Sequence, residues 1–221
     1  MPKFNTTPEQ FLNKITGLLK NMNTQVGETK INYAEEFSKN VGVWEGYTLK
    51  EHILLVLNQF SKYDFYDNAF FPDWIDKDSF SIMLALHDIG KPFAVVTSSK
   101  SDQSRYNTVF VKDIMLKLEI LEAKMYSELV SEDVIGEYIK GHIDTNQATT
   151  IISEHAKECD LDKSKFYQLL KVYYMCDAGS YTADSGGQKS LDWIFIFDWK
   201  NRKILFSEIV NKKIIELNSK F

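Results

Sequence analysis

Apolar residues recur along this 221-residue chain at the three-to-four-residue spacing of amphipathic helices. In the first such segment they fall at positions 11, 12, 15, 18 and 19, which lie on one face of a helix. The same pattern predicts helices over 8–19, 33–39, 48–63, 81–89, 106–121, 131–140, 146–158, 164–178 and 207–217. Thr48 and Glu51 predict a capping box at the start of the third helix, and Asp78 or Ser79 is expected to cap the fourth. The chain is therefore predicted to be mostly α, a helical bundle.

A different pattern appears near the C-terminus. Two apolar runs, 193–197 and 203–206, flank a polar turn and predict a small β-hairpin. The segments 21–29, 41–46, 64–77, 98–104 and 180–189 are polar or irregular and are predicted to be loops. We expect a single domain over 1–221. Its parts would be a helical core at about 45–180, an N-terminal helical extension at 1–44, and the hairpin with a last helix at 190–221.

Composition narrows the class of protein. Apolar residues make up 44% of the chain and aromatic residues 14%, enough for a sizeable core. The net charge of −5 argues against a large nucleic-acid interface. The two cysteines form no Cys-x-x-Cys pair, no apolar leader is visible, and the run Ile53–Leu57 is too short to span a bilayer. These features predict a cytoplasmic protein without a membrane segment.

The most informative local sequence is Leu84–Pro92, which places His87 and Asp88 side by side. Gly90 and Pro92 predict that the helix stops there, with Gly90 in the left-handed conformation. Asp88 would then lie in the last turn of a helix, where the helix dipole disfavours a carboxylate unless a cation compensates it. Asp177 occupies the same place in the segment 164–178. Two such carboxylates predict a shared cation, although each alone could be an ordinary solvated aspartate.

A further histidine, His52, precedes His87 by 35 residues. With the strings Leu49–Val56 and Leu84–Pro92, and with Asp177, this arrangement resembles the HD-domain superfamily of metal-dependent phosphohydrolases. The resemblance covers about 45–180. It implies an HD-domain-like helical bundle in which four residues hold one divalent cation: His52, His87, Asp88 and Asp177.

The chain also lacks several motifs. No second His-Asp or Gly-Tyr-Pro signature follows, and no glutamate lies within six residues after Asp88, so the general acid of some relatives is not identified. No Gly-rich phosphate loop or Gly-x-Ser-x-Gly motif is present.

The residue types suit this chemistry. Two imidazoles and two carboxylates without a thiolate are compatible with Mn²⁺, Fe²⁺, Co²⁺, Ni²⁺, Zn²⁺ or Mg²⁺. A divalent ion with open positions lowers the pKa of bound water and polarises a phosphoryl oxygen. We expect Asp88 to belong to the catalytic centre and Lys91, at its rim, to bind the substrate phosphate. Arg105 is the second candidate for phosphate binding, and only one other arginine, Arg202, occurs in the chain.

Two more histidines bear on the number of metal ions. Some relatives add two histidines before the last aspartate and hold a two-metal centre. His142 follows a predicted helix end and is expected near the site, with a part in turnover. His155 lies 13 residues after His142 and about 15 Å along a helix that starts near Thr145, and it is expected to be structural or on the surface.

The leading prediction is a metal-dependent phosphohydrolase acting on a phosphomonoester or phosphodiester, with nucleotides as the first substrate class to test. One alternative is a degenerate HD module that binds a nucleotide or a protein partner without catalysis. Another is a di-iron oxygenase, which would require both His142 and His155 as ligands. The aromatic segment 63–74 could stack a base or could pack between helices. The sequence indicates neither the oligomeric state nor the physiological metal.

Overall fold

A computed structural model of the chain describes residues 6–41, 46–62, 71–97, 102–201 and 203–221. The helices and strands follow in chain order. They are α1 Pro8–Leu19, β1 Asn23–Val26, β2 Thr29–Asn32, α2 Tyr33–Glu36, α3 Leu49–Lys62, α4 Lys77–Leu86, α5 Lys91–Thr97, α6 Gln103–Lys117, α7 Ala123–Leu129, α8 Val134–Lys140, α9 Thr145–Glu158, α10 Lys163–Ser180, β3 Phe195–Asp198, β4 Lys203–Phe206 and α11 Glu208–Asn218. The prediction of a mostly α protein with a small C-terminal hairpin is confirmed.

The long helix α3 lies at the centre of the fold, packed against α4, α10 and α1. Its buried face repeats at helical spacing through Leu49, Ile53, Val56 and Phe60, each with no exposed surface. The buried apolar residues of the described segments, from α1 to α11, form one continuous cluster. The centre of the molecule is therefore a rigid support for side chains that α3 and its neighbours carry.

The predicted capping box at the start of α3 is confirmed. The Thr48 N–H donates to the Glu51 carboxylate at 2.7 Å, and the Glu51 N–H donates to the Thr48 hydroxyl at 3.3 Å. The cap of α4 was expected at Asp78 or Ser79 but is Asp76, whose carboxylate accepts the Ser79 N–H at 2.7 Å. The helix therefore begins one turn earlier than its apolar run.

The prediction of a helix stop at Gly90 is wrong. Helix α4 ends at Leu86, residues 87–90 form a turn, and α5 begins directly at Lys91. Gly90 does not have a positive φ. A Cβ at Gly90 would instead lie 2.5 Å from the carbonyl carbon of Tyr106, so glycine is needed there for close packing against α6. Pro92 lies in the first turn of α5, where the missing N–H costs no helical hydrogen bond.

Two further features of the fold were not predicted. Segment 21–29 was expected to be a loop, but β1 and β2 pair there as an antiparallel hairpin that turns at Gly27, with φ +59°. The apolar pattern over 106–121 was expected to be one helix. The structure ends α6 at Lys117, places Glu119 in the left-handed region with φ 59°, and continues with α7. Apolar spacing alone does not reveal a backbone reversal of this kind.

The C-terminal hairpin packs on α10. Phe195 pairs with Phe206 across the two strands, and both rings lie 6.5 Å from the ring of Tyr174. On the other side of the core, Phe71 packs between Phe60 and Phe80, which supports packing for this part of the aromatic segment. Residues 42–45, 63–70, 98–101 and Arg202, on which parts of the loop and aromatic predictions fall, lie outside the described residues.

Among the described segments, one is long and apolar enough to cross a membrane by length and composition alone. It is the 21-residue stretch 77–97, and 78% of its apolar window is buried inside the structure. This stretch consists of α4, the turn at 87–90 and α5. Its apolar character is accounted for by its place in the core.

Candidate metal centre

Three elements bring four side chains together. His52 lies in the first turn of α3, His87 and Asp88 lie in the turn between α4 and α5, and Asp177 lies in the last turn of α10. Both histidines have no exposed surface, whereas the Asp177 side chain is 31% exposed. The site is therefore buried on the histidine side and open on the Asp177 side.

The ligand atoms converge closely. His52 Nε2 lies 3.2 Å from His87 Nε2, and Asp177 Oδ1 lies 3.4 Å from each of these nitrogens. These three residues form a group that could hold a metal ion. Asp88 adjoins this group through the histidines, with Oδ2 at 3.3 Å from His52 Nε2 and 3.7 Å from His87 Nε2.

These separations suit a common cation. When ligand atoms lie about 2.1 Å from an ion, neighbouring ligands are about 3.0 Å apart in octahedral geometry and about 3.4 Å apart in tetrahedral geometry. The observed distances of 3.2 to 3.7 Å fall in or near that range. Asp177 Oδ1 is also buried without a hydrogen-bond partner, which is costly for a carboxylate unless a cation balances it. His52, His87 and Asp177 could therefore hold a metal ion, and Asp88 adjoins them.

The turn fixes the orientation of His87. Its Nδ1 lies 2.8 Å from the carbonyl oxygen of Leu84. A carbonyl only accepts, so Nδ1 carries the proton and Nε2 presents its lone pair to the centre. A ligating histidine needs this tautomer.

The electrostatics also favour a positive charge. Burial lowers the pKa of His52, but the nearby carboxylates of Asp177 and Asp88 outweigh burial and raise that pKa to about 9. Burial raises the pKa of Asp88, but the charge of Lys91 and the neighbouring imidazoles of His87 and His52 outweigh it and hold that pKa well below its usual value. The pKa of Asp177 is likewise lowered, because His87 and His52 outweigh its burial. The two carboxylates therefore stay ionised, and a proton on His52 supplies part of the charge that a metal ion would bring.

Polar groups outside the four ligands hold Asp88 in place. Lys91, expected at the rim of the site, is instead buried, and its Nζ lies 3.3 Å from Asp88 Oδ2. Asp88 Oδ1 accepts a hydrogen bond from Gln103 Nε2 at 3.0 Å and another from Asn107 Nδ2 at 3.1 Å.

A cavity of about 300 Å³ opens beside the centre. Asp88, Lys91 and Asp177 lie in its wall, together with Lys140 and several aromatic and aliphatic side chains of α8 and α10. The rings of Tyr181 and Tyr173 pack against His52 and His87, with centroids at 5.1 Å and 5.7 Å. The site therefore combines a group of side chains that could hold a metal ion with a cavity that has charged and aromatic walls.

The structure does not bring the other predicted residues to this cavity. His142 was expected near the site, but its side chain is 62% exposed and pairs with Glu137 at 2.7 Å. Arg105 lies exposed on α6, two residues from both Gln103 and Asn107 and therefore on the opposite face of the helix. His155 pairs with Glu128 at 2.7 Å and stacks on Phe166, as a structural histidine does.

Four residues of the site were not predicted from the sequence: Gln103, Asn107, Tyr173 and Tyr181. A signal for the amides exists: Gln103 and Asn107 are four residues apart, and Asn107 continues the buried face of Phe110, Val111 and Ile114. A buried amide on an apolar helix face requires a partner. Nothing in the sequence identifies the partner as Asp88.

Comparisons of the chain with protein-family models, with curated proteins and with solved structures find no match. The site is therefore interpreted from its own geometry.

Proposed function

We propose that this protein is a metal-dependent phosphohydrolase of the HD type. The observation that carries the proposal is the convergence of His52 Nε2, His87 Nε2 and Asp177 Oδ1 within 3.4 Å of one another, with Asp88 adjoining them. Residues 125 positions apart in the chain meet here through three separate elements. Asp177 Oδ1 is buried at the same point without a conventional hydrogen bond, and a bound cation would satisfy it.

The ligands His52, His87, Asp88 and Asp177 would hold one divalent ion. Such an ion supplies a Lewis acid that polarises a phosphoryl oxygen. Lys91 lies beside Asp88 in the cavity wall and offers an ammonium group for the charge that develops on the phosphoryl oxygens. Lys140 lies at another part of the wall, where it pairs with Asp133 and Glu137.

The volume of the cavity limits the size of the substrate. A volume of about 300 Å³ is at the lower end for small-molecule sites, so it suits a phosphoester with one modest organic group. Tyr173, Tyr174 and Tyr181 provide aromatic surface against which a planar group such as a nucleobase can pack. A nucleoside monophosphate or a similarly small ester is therefore the first substrate class to test.

The di-iron oxygenase is not favoured. It needs His142 and His155 as additional ligands, but each pairs with a glutamate away from the cavity. Among the described residues, the group that could hold a metal ion comprises His52, His87 and Asp177 and includes neither of these histidines.

The test is a phosphoester panel combined with metal analysis. Protein stripped with a chelator is assayed on phosphomonoesters and phosphodiesters with Mn²⁺, Co²⁺, Ni²⁺, Zn²⁺, Fe²⁺ or Mg²⁺. We expect hydrolysis that depends on one of these ions and is lost in His52→Ala, with His155→Ala as the matched control. Tight binding of one ion without hydrolysis of any ester would contradict the enzyme and favour the non-catalytic module.

A further inference from the structure

The face of α6 that approaches the metal centre carries two amide side chains in an otherwise apolar environment. Asn107 is 3% exposed, and the next turns of the helix bury Phe110, Val111 and Ile114. A buried amide is unfavourable unless both its ends are hydrogen bonded. Both ends of Asn107 meet a partner in the turn that carries the metal ligands.

The two partners of Asn107 fix how its amide points. Gly90 N–H donates to Asn107 Oδ1 at 2.8 Å, and Asn107 Nδ2 donates to Asp88 Oδ1 at 3.1 Å. A backbone N–H only donates and an ionised carboxylate only accepts, so a flipped amide would lose both bonds. Gly90 allows this approach, since a Cβ there would lie 2.6 Å from the Asn107 backbone nitrogen.

Gln103 adds a second donor from one turn earlier on α6. Its Nε2 donates to the same oxygen, Asp88 Oδ1, at 3.0 Å. The two oxygens of the Asp88 carboxylate therefore have different surroundings. Oδ1 accepts from the two amides, while Oδ2 faces His52, His87 and Lys91 at 3.3 to 3.7 Å.

We propose that Asn107, supported by Gln103, is a positioning residue that turns one oxygen of Asp88 towards the cation. This role rests on the metal centre proposed above and adds residues that act through Asp88. Without the two donors, the carboxylate can rotate about its Cβ–Cγ bond, and either oxygen can leave the centre. Groups that orient a metal ligand commonly change metal affinity by about tenfold to a hundredfold.

The experiment is a titration of chelator-treated protein with Co²⁺, followed by calorimetry and by visible absorption, which reports the ligands around the ion. Asn107→Leu keeps the branched shape of the side chain and removes both amide functions. Gln103→Met keeps the length of the side chain and removes the donor. Asn58→Leu is the matched control, because Asn58 is exposed on α3, the helix that carries His52.

We expect Asn107→Leu to bind Co²⁺ about tenfold to a hundredfold more weakly and to change the absorption spectrum. Gln103→Met should bind about threefold to tenfold more weakly. Asn58→Leu should match the wild type in both affinity and spectrum. A purely structural role for Asn107 would lower the melting temperature without changing the spectrum of the bound ion.

Wild-type affinity and spectrum in both variants would overturn the proposal. If Asn107→Leu does not fold, Gln103→Met decides alone, and unchanged binding in it counts against the role. A wild-type protein that binds no Co²⁺ would overturn the metal centre and this role with it. A wild type that binds Co²⁺ without hydrolysing any ester would remove the hydrolase alone, because the affinity measurement is independent of turnover.

Discussion

Replacing His87 with alanine tests the metal centre through stability. The substitution removes the nitrogen that lies 3.2 Å from His52 Nε2 and 3.4 Å from Asp177 Oδ1. It also removes the hydrogen bond to the Leu84 carbonyl, so the metal-free protein should be somewhat less stable. The apolar face of α4 is unchanged, and we expect the variant to fold.

The effect on metal-dependent stability can be worked out. An ion at a hundred times its dissociation constant stabilises the wild type by about 2.7 kcal/mol. Removing a group that orients a metal ligand weakens metal binding by up to about a hundredfold, and removing one of four ligands should weaken it at least as much. The same ion concentration then stabilises the variant by about 0.4 kcal/mol or less. The difference of roughly 2 kcal/mol corresponds to about 4–8 °C in melting temperature for a chain of this size.

The assay is thermal unfolding of chelator-treated protein with and without the added ion. The quantity compared is the increase in melting temperature caused by the ion, so the stability of the metal-free protein cancels. Asp88→Ala should lose the same increase. His142→Ala and His155→Ala are the controls and should retain it, because both rings pair with glutamates outside the cavity. An undiminished increase in His87→Ala would refute the assignment of His87 as a ligand.

Three further outcomes are expected. Lys91→Met should retain the ion at neutral pH but lower phosphoester turnover by about a hundredfold to a thousandfold, measured by steady-state kinetics; unchanged turnover would remove Lys91 from the mechanism. Gly90→Ala should destabilise the protein by about 1–3 kcal/mol in urea unfolding, because its Cβ would lie 2.5 Å from the Tyr106 carbonyl carbon, and a neutral result would contradict this packing. In the metal-free protein, the raised pKa of His52 stabilises the folded state; this stabilisation is complete below about pH 6.5 and is lost as the pH rises towards about 9. Urea unfolding at several pH values should show this pH dependence in the wild type and not in His52→Gln.

The fold class follows from the sequence because most helices here carry a regular apolar face and a recognisable cap. The start of α3 is an example, with Thr48 and Glu51 forming the predicted capping box. The N-terminal hairpin could not be predicted in this way. Its strands have four residues each, and of these only Ile31 is buried, so no alternating pattern marks them.

The four proposed metal ligands could be singled out in the sequence for a different reason. His52, His87, Asp88 and Asp177 are residue types with a chemical preference, and their positions near helix ends limit where they point. Their surroundings depend on contacts between distant segments. Lys91 is adjacent to the motif, yet its burial depends on how α5 packs against α6. His142 is distant in sequence, and its exposure depends on the left-handed turn at Gly141, with φ 81°, and on its pairing with Glu137.

The most direct test of the metal centre is anomalous diffraction from a crystal of the wild-type protein grown with Mn²⁺ or Co²⁺. Data collected on both sides of the absorption edge locate the ion without reference to activity. We predict one strong peak per chain, about 2.0–2.2 Å from His52 Nε2, His87 Nε2 and one oxygen each of Asp88 and Asp177. No peak between these four side chains, in a crystal of protein that binds the ion in solution, would contradict the proposed centre.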